Sequence, residues 1–196
     1  MQCTVPSGYT LYVPSGWHHA TLNIGPTVAV GFQQPGWAGD KAGMLLEKFP
    51  KSALFNSQVG TAAFNAHRDS IALPLLTKAV RLEPNNFKHA SNLISFHLAT
   101  KQVRTAFQSA SEALSRLQDL VHAKLVLKES ACFVVSHLAQ KFVEFAQNAP
   151  VDQGSVTSMG AYASAVKLFL EAQKLHKLEQ VAQESLDLAL AKTGLS

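Results

Sequence analysis

Two adjacent histidines, His18 and His19, follow the turn Pro14-Ser15-Gly16-Trp17, and an imidazole in such a place can hold a metal ion through a ring nitrogen. The residues around them keep a fixed spacing, G-x5-P-x-G-x2-H-x3-N, filled here by Gly8, Pro14, Gly16, His19 and Asn23. Pro14 restricts the backbone and Gly16 frees it, the combination a tight turn between two strands requires. Tyr9-Thr10-Leu11-Tyr12-Val13 reads as the strand before the turn and Ala20-Thr21-Leu22-Asn23-Ile24 as the strand after it. Gly25-Pro26 then makes a second turn into a third strand, Thr27 to Phe32. The two-residue period of a strand puts His19, Thr21 and Asn23 on one face and His18 and Ala20 on the other. Neighbouring strand residues cannot face one metal together, so only one of the two histidines can point inward.

The spacing matches the second conserved motif of cupins. The run Tyr12-Val13-Pro14-Ser15-Gly16-Trp17-His18-His19-Ala20-Thr21-Leu22-Asn23 closely resembles the form YVPSGWWHATLN found in Jumonji C (JmjC) proteins, with His18 in place of a second aromatic residue. The resemblance continues through Thr27-Val28-Ala29-Val30. It implies that segment 1–34 is the closing part of a JmjC, cupin-type barrel, with His19 as the last metal ligand and Gly8, Pro14, Gly16, Trp17 and Asn23 as its structural frame. The family binds iron(II) through two histidines and a carboxylate and leaves open positions for 2-oxoglutarate and oxygen. Fe(II) and 2-oxoglutarate are therefore the cofactors implied for an intact parent protein.

The first two ligands of that family form an H-x-D or H-x-E pair on an earlier strand. The eighteen residues before His19 contain no Asp or Glu, and their one histidine, His18, faces away. His67-Arg68-Asp69 has the H-x-D form, but it falls at a helix boundary, where residues two apart do not share a face. Gly31 stands near the place of the family's polar 2-oxoglutarate-binding residue. One imidazole cannot define a catalytic metal geometry, and three strands cannot close a barrel that typically needs about eight. The expectation is the tail of a larger protein, with no cofactor bound and no catalysis by this chain alone.

Composition narrows the remaining classes. Of 196 residues, 47% are hydrophobic and 15% charged, a globular balance able to bury a core. The net charge of +4 is spread singly along the chain without the Lys/Arg clusters that displace counterions from nucleic acid. Cys3 and Cys132 are too few and too far apart for a disulfide framework, which points to a reducing compartment. The N-terminus lacks the basic and apolar regions of a signal peptide. The apolar run 120–146 is broken by Lys124, Lys128, Glu129, Lys141 and Glu144, against a membrane span. A cytoplasmic or nuclear setting is expected, with neither nucleic acid nor membrane as a partner.

Beyond residue 50 the hydrophobic period changes from two to that of a helix. Helices are predicted at about 54–66, 69–82, 87–99, 102–117, 120–147, 156–174 and 177–192, with Asp69 and Ser155 as N-caps and Pro84 and Pro150 as stops. Residues 33–43, rich in Gly and Pro, read as loop, and 35–52 as a linker. Val59-Gly60, Ala72, Leu76, Ala79 and Pro84 stand where a 34-residue tetratricopeptide (TPR) unit places its contact residues, and Ala106, Ala110 and Ala113 repeat them 34 positions on. A weaker echo follows at Ala165, Phe169 and Ala172. Ordinary helical hairpins would satisfy the same spacing. The expected fold is mainly α: 53–196 forms antiparallel, TPR-like hairpins behind a short N-terminal β segment.

Such hairpins imply a groove for a protein or peptide partner, although Lys88 and Asn92 offer only a fragment of a carboxylate-gripping set. His89, His97, His122, His137 and His176 read as lone helical residues, satisfied or at the surface, and Cys132 as a small buried hydrophobe. Phe133, Phe142 and Phe145 read as core, while Trp37 reads as a loop residue that either seals a junction or anchors a partner. Two functions remain open. One is the C-terminal fragment of a JmjC-like hydroxylase fused to an interaction module. The other is a non-catalytic helical scaffold with a vestigial cupin hairpin.

Overall fold

The computed structural model describes residues 37–149 and 155–195. The expected β segment 1–34 lies outside them, and the described residues form helices and no strand. Eight helices follow in order: α1 Trp37–Lys48, α2 Ala53–Asn65, α3 Asp69–Leu82, α4 Phe87–Ala99, α5 Val103–His122, α6 Lys128–Asn148, α7 Ser155–Leu175 and α8 Gln180–Thr193. The most extensive packing is within the hairpins α6–α7, α2–α3 and α4–α5. The helices α2, α4, α6 and α8 also touch one another in series, as do α5 and α7. The result is a row of antiparallel hairpins stacked side by side.

The helix α1 corrects the loop reading over residues 37–43 and occupies most of the stretch read as linker. Gly39 and Gly43 suggested a break, yet Ala38, Lys41, Ala42, Met44, Leu45 and Leu46 are strong helix formers. Packing of α1 on α2 outweighs the glycine penalty. Trp37 is the first residue of α1 and not part of a loop.

Hairpin α2–α3 shows why the repeat spacing has its residue types. Ser52 caps α2, its hydroxyl accepting from the backbone N–H of Phe55 at 3.3 Å. The buried face of α2 is a stripe of small residues, Ala53, Asn56, Ser57, Gly60 and Ala63. Ala72, Leu76 and Ala79 of α3 pack onto it, all fully buried. A Cβ on Gly60 would stand 2.9 Å from Leu76 Cγ, so that something would have to shift, and a tight 3.2 Å from Leu75 Cβ. Asn56 ties the helix start to the preceding turn by donating from Nδ2 to the carbonyls of Pro50, at 3.0 Å, and Ser52, at 2.7 Å. The echo residues Ala106, Ala110 and Ala113, and then Ala165, Phe169 and Ala172, are equally buried.

Three of the reversals between described helices use a device that carries no glycine. Helix α2 ends with His67 in the left-handed region at φ 56, and Arg68 N–H donates back to the Ala63 carbonyl while His67 N–H donates to Phe64. This is the Schellman pattern. Lys101, at φ 61, closes α4 in the same way 34 positions later, with Gln102 N–H on His97 and Lys101 N–H on Leu98. Lys124, at φ 57, closes α5 likewise. That last turn corrects the expected helices 102–117 and 120–147: α5 runs on to His122, and α6 starts only at Lys128. Asp69 is not an N-cap. It is the first helical residue of α3, and Arg68 precedes it without a side-chain cap. Its carboxylate instead meets the positive end of the helix dipole. Pro74 sits inside α3 on an exposed position, so the backbone donor it lacks falls on the solvent side.

Two apolar cores result. The larger runs through α4 to α8 around Ile94, Leu117, Val135, Phe142, Phe169 and Leu186. The smaller joins α2, α3 and α4 through Ala63, Ala72, Leu76, Leu93 and Phe96, where the rings of Phe64 and Phe96 meet edge-on at 5.4 Å.

Gly60→Ala is expected to lower stability by about 1–2 kcal/mol, because overpacking against Leu76 exceeds the helix-propensity gain of about 1 kcal/mol. Denaturant unfolding would measure it, and the loss should shrink when Leu76→Ala is added. Lys124→Gly should have the opposite sign, raising stability by about 1 kcal/mol, since glycine adopts the left-handed conformation without strain. Its check is a higher urea midpoint at unchanged slope.

Candidate functional site

The residues expected to frame a metal, Gly8, Pro14, Gly16, Trp17, His19 and Asn23, lie outside the described residues. His67 and Asp69 are exposed and flank the α2–α3 reversal, where the backbone conformation of His67 serves the turn. Among the described residues no three His, Cys, Asp or Glu side chains come together as a metal site. No described helix is long and apolar enough to cross a membrane.

The remaining titratable groups are mostly committed to the fold. His89, buried at the start of α4, donates from Nε2 to Glu83 Oε2 at 3.3 Å, and Asn86 Nδ2 donates to the same oxygen at 3.0 Å. This cluster clamps the α3–α4 turn around Pro84. His97, buried near the end of α4, donates from Nδ1 to Gln102 Oε1 at 3.2 Å across the α4–α5 reversal. Burial pulls its pKa below the ordinary histidine value, against the smaller opposing effect of the Gln102 hydrogen bond. Cys132 is buried on α6, with its thiol 3.5 Å from the carbonyl of His176; desolvation raises its pKa, which disfavours the thiolate a nucleophile would need. His176 is half exposed, 3.7 Å from Glu129, and His122 and His137 are exposed.

Lys88 and Asn92 do not assemble into a ligand grip. Lys88 is exposed, while Asn92 Nδ2 donates to Ser57 Oγ at 3.1 Å, a bond that pins α4 to α2. Phe142 is core and Phe145 half-buried against it, as expected, but Phe133 is 62% exposed. A helix packed on one side still turns the other outward, and the spacing of three aromatics did not reveal which one would occupy it.

A concavity lies elsewhere, between α5 and α7. It is a trough of about 820 Å³, open to solvent along its length. Phe107, Ser111, Leu114 and Gln118 supply one wall at three- and four-residue spacing along α5. Leu168, Leu170 and the ammonium-bearing Lys167 and Lys174 form the other on α7. Lys167 Nζ lies 5.6 Å from the centre of the Phe107 ring, within cation–π range. Lys174 pairs with Glu171 at 2.6 Å. The spacing of Phe107 and Leu114 is visible in the sequence, but a half-exposed apolar stripe looks the same whether a neighbouring helix or an outside partner covers it.

The described architecture is thus a stacked helical hairpin array with a solvent-open apolar trough and no assembled catalytic constellation among its described residues. No family model matches the chain. Over 30 residues it is 60% identical to the lysine-specific demethylase JMJ21 of Arabidopsis thaliana; the match spans 15% of this chain and 3% of that protein.

Because His97 is held neutral by burial, its folded pKa lies below its unfolded one, and its contribution to stability is present above pH 6.5 and lost as pH falls through the folded value. Unfolding free energies measured from about pH 7.5 to about pH 5 should decline, and His97→Gln should flatten the decline. An equally steep profile in the variant would contradict this.

Proposed function

We propose that the chain is the C-terminal part of a JmjC-like Fe(II)/2-oxoglutarate-dependent hydroxylase joined to a helical interaction module, and that hydroxylation requires more of the protein than these residues. The motif Gly8 to Asn23 carries the reading. The 30-residue likeness to a protein named a lysine-specific demethylase supports it. In this reading His19 supplies one of three protein ligands to iron. The residues present do not fit the whole group. The chain has no second strand with an H-x-D or H-x-E pair ahead of His19, and His67 and Asp69 flank a helix reversal. No step of oxygen activation is therefore assigned to this chain.

The helical half fits the module role through the TPR spacing. Positions 72, 76 and 79 and their echoes at 106, 110 and 113 are buried at the hairpin contacts, and the reversals at His67 and Lys101 keep the same 34-residue interval. A second reading, a non-catalytic scaffold with a vestigial cupin hairpin, is favoured by one observation: described residues of α5 and α7 form an open, mostly apolar trough.

Sequencing transcripts across the Met1 codon separates the two. An in-frame upstream stretch encoding an H-x-D or H-x-E strand is expected, and the longer protein should turn over 2-oxoglutarate in a manner abolished by His19→Ala. A stop codon directly upstream in every transcript would sink the hydroxylase reading.

A further inference from the structure

We propose that the trough between α5 and α7 is the docking surface for an acidic amphipathic helix of a partner protein. This deepens the interaction-module reading and rests on it.

The floor selects for apolar side chains. Phe107 and Leu114 lie two turns apart on α5, and Leu170, 43% exposed, lines the trough from α7. From Phe107 to Gln118 the wall runs about 16 Å at the rise of an α-helix, enough to receive anchors at i, i+3 or i+4, and i+7 of one docked helix. An open trough of this shape does not enclose a small molecule, whose sites normally bury most of the ligand surface.

The rim selects for charge. Lys167 carries its ammonium over the Phe107 ring and, among the described residues, has no carboxylate within ion-pairing distance. Lys174 is already neutralised by Glu171. A carboxylate arriving beside Lys167 would complete a pair at the edge of an apolar surface, whereas a basic ligand would set like charge against Lys167. Two lysines with one glutamate are too few to hold a nucleic-acid backbone or an anionic lipid surface. The chemistry left is a helix with an apolar ridge flanked by Asp or Glu.

The test uses the full chain and a fluorescein-labelled amphipathic peptide of about 18 residues, five helical turns, with Leu at the anchor positions and Glu beside them. Its counterpart has every Glu changed to Lys. Anisotropy should show binding of the acidic peptide, at least tenfold weaker binding of the basic one, and weakening with added salt. Lys167→Glu should reduce affinity about tenfold and Lys167→Arg should preserve it, while Leu170→Gln should weaken binding without the change in salt dependence. Circular dichroism would verify that each variant is folded. Equal binding of the two peptides, binding of neither, or an unchanged affinity in Lys167→Glu would overturn the proposal. Amide shift mapping separates its failure from that of the broader reading: if the acidic peptide binds but perturbs α2, α4 and α6 instead of α5 and α7, the trough assignment falls and the interaction module stands. Sedimentation completes the set. A dimer of the chain that Lys167→Glu dissociates would make the occupant a second copy and overturn the partner assignment.

Discussion

The close approach of α2 and α3 at Gly60 sets the terms for the hairpin array. Two helices can lie this near only if one presents a surface without side-chain bulk, and the stripe Ala53, Asn56, Ser57, Gly60, Ala63 does so. Leu76 then fills the space a side chain on Gly60 would take. In the second hairpin the small residues Ala106, Ala110 and Ala113 lie on the second helix, and Leu93 of its first helix reaches back into the smaller core. Each hairpin thereby stays thin, and the next can stack on its flank. Polar links are made where the stack permits no apolar filler: Asn92 on Ser57 between first helices, and the His89, Glu83 and Asn86 cluster at the junction.

The turns follow from the same economy of space. His67, Lys101 and Lys124 each accept a left-handed backbone, and each is an unbranched or polar residue standing where glycine is usual. The penalty is offset by two backbone hydrogen bonds at every reversal, which leave the last carbonyls of the helix satisfied. Since the reversals at His67 and Lys101 are spaced like the contact residues, the repeat is a property of the backbone path as well as of the side chains.

Much of the helical half was legible from its residues. Hydrophobic period located seven of the eight helices, and the small-residue positions marked the contacts that the structure makes tightest. What escaped has physical causes. Helix α1 was hidden by Gly39 and Gly43, whose local preference yields to packing on α2. The α5–α6 boundary was hidden because Ala123-Lys124-Leu125-Val126-Leu127 contains neither Gly nor Pro, and the turn is imposed by a lysine in a conformation lysine seldom takes. The exposure of Phe133 and the trough beside Phe107 depend on which neighbour is missing, a fact of tertiary arrangement that no single segment encodes. The cupin-like motif was the clearest chemical signal in the chain, and its residues lie outside the described ones.

The unequal size of the two cores has a consequence for how the array yields. Hairpin arrays hold each unit through its immediate neighbours, so cohesion is local and need not fail everywhere at once. The hairpin α2–α3 leans on the rest through a handful of residues around Leu93 and Phe96, whereas α4 to α8 share one continuous apolar interior. A load entering from the side of residue 37 therefore meets the weakest seam first. The leading hairpin is held by far fewer apolar residues than the units from α4 to α8 share among themselves.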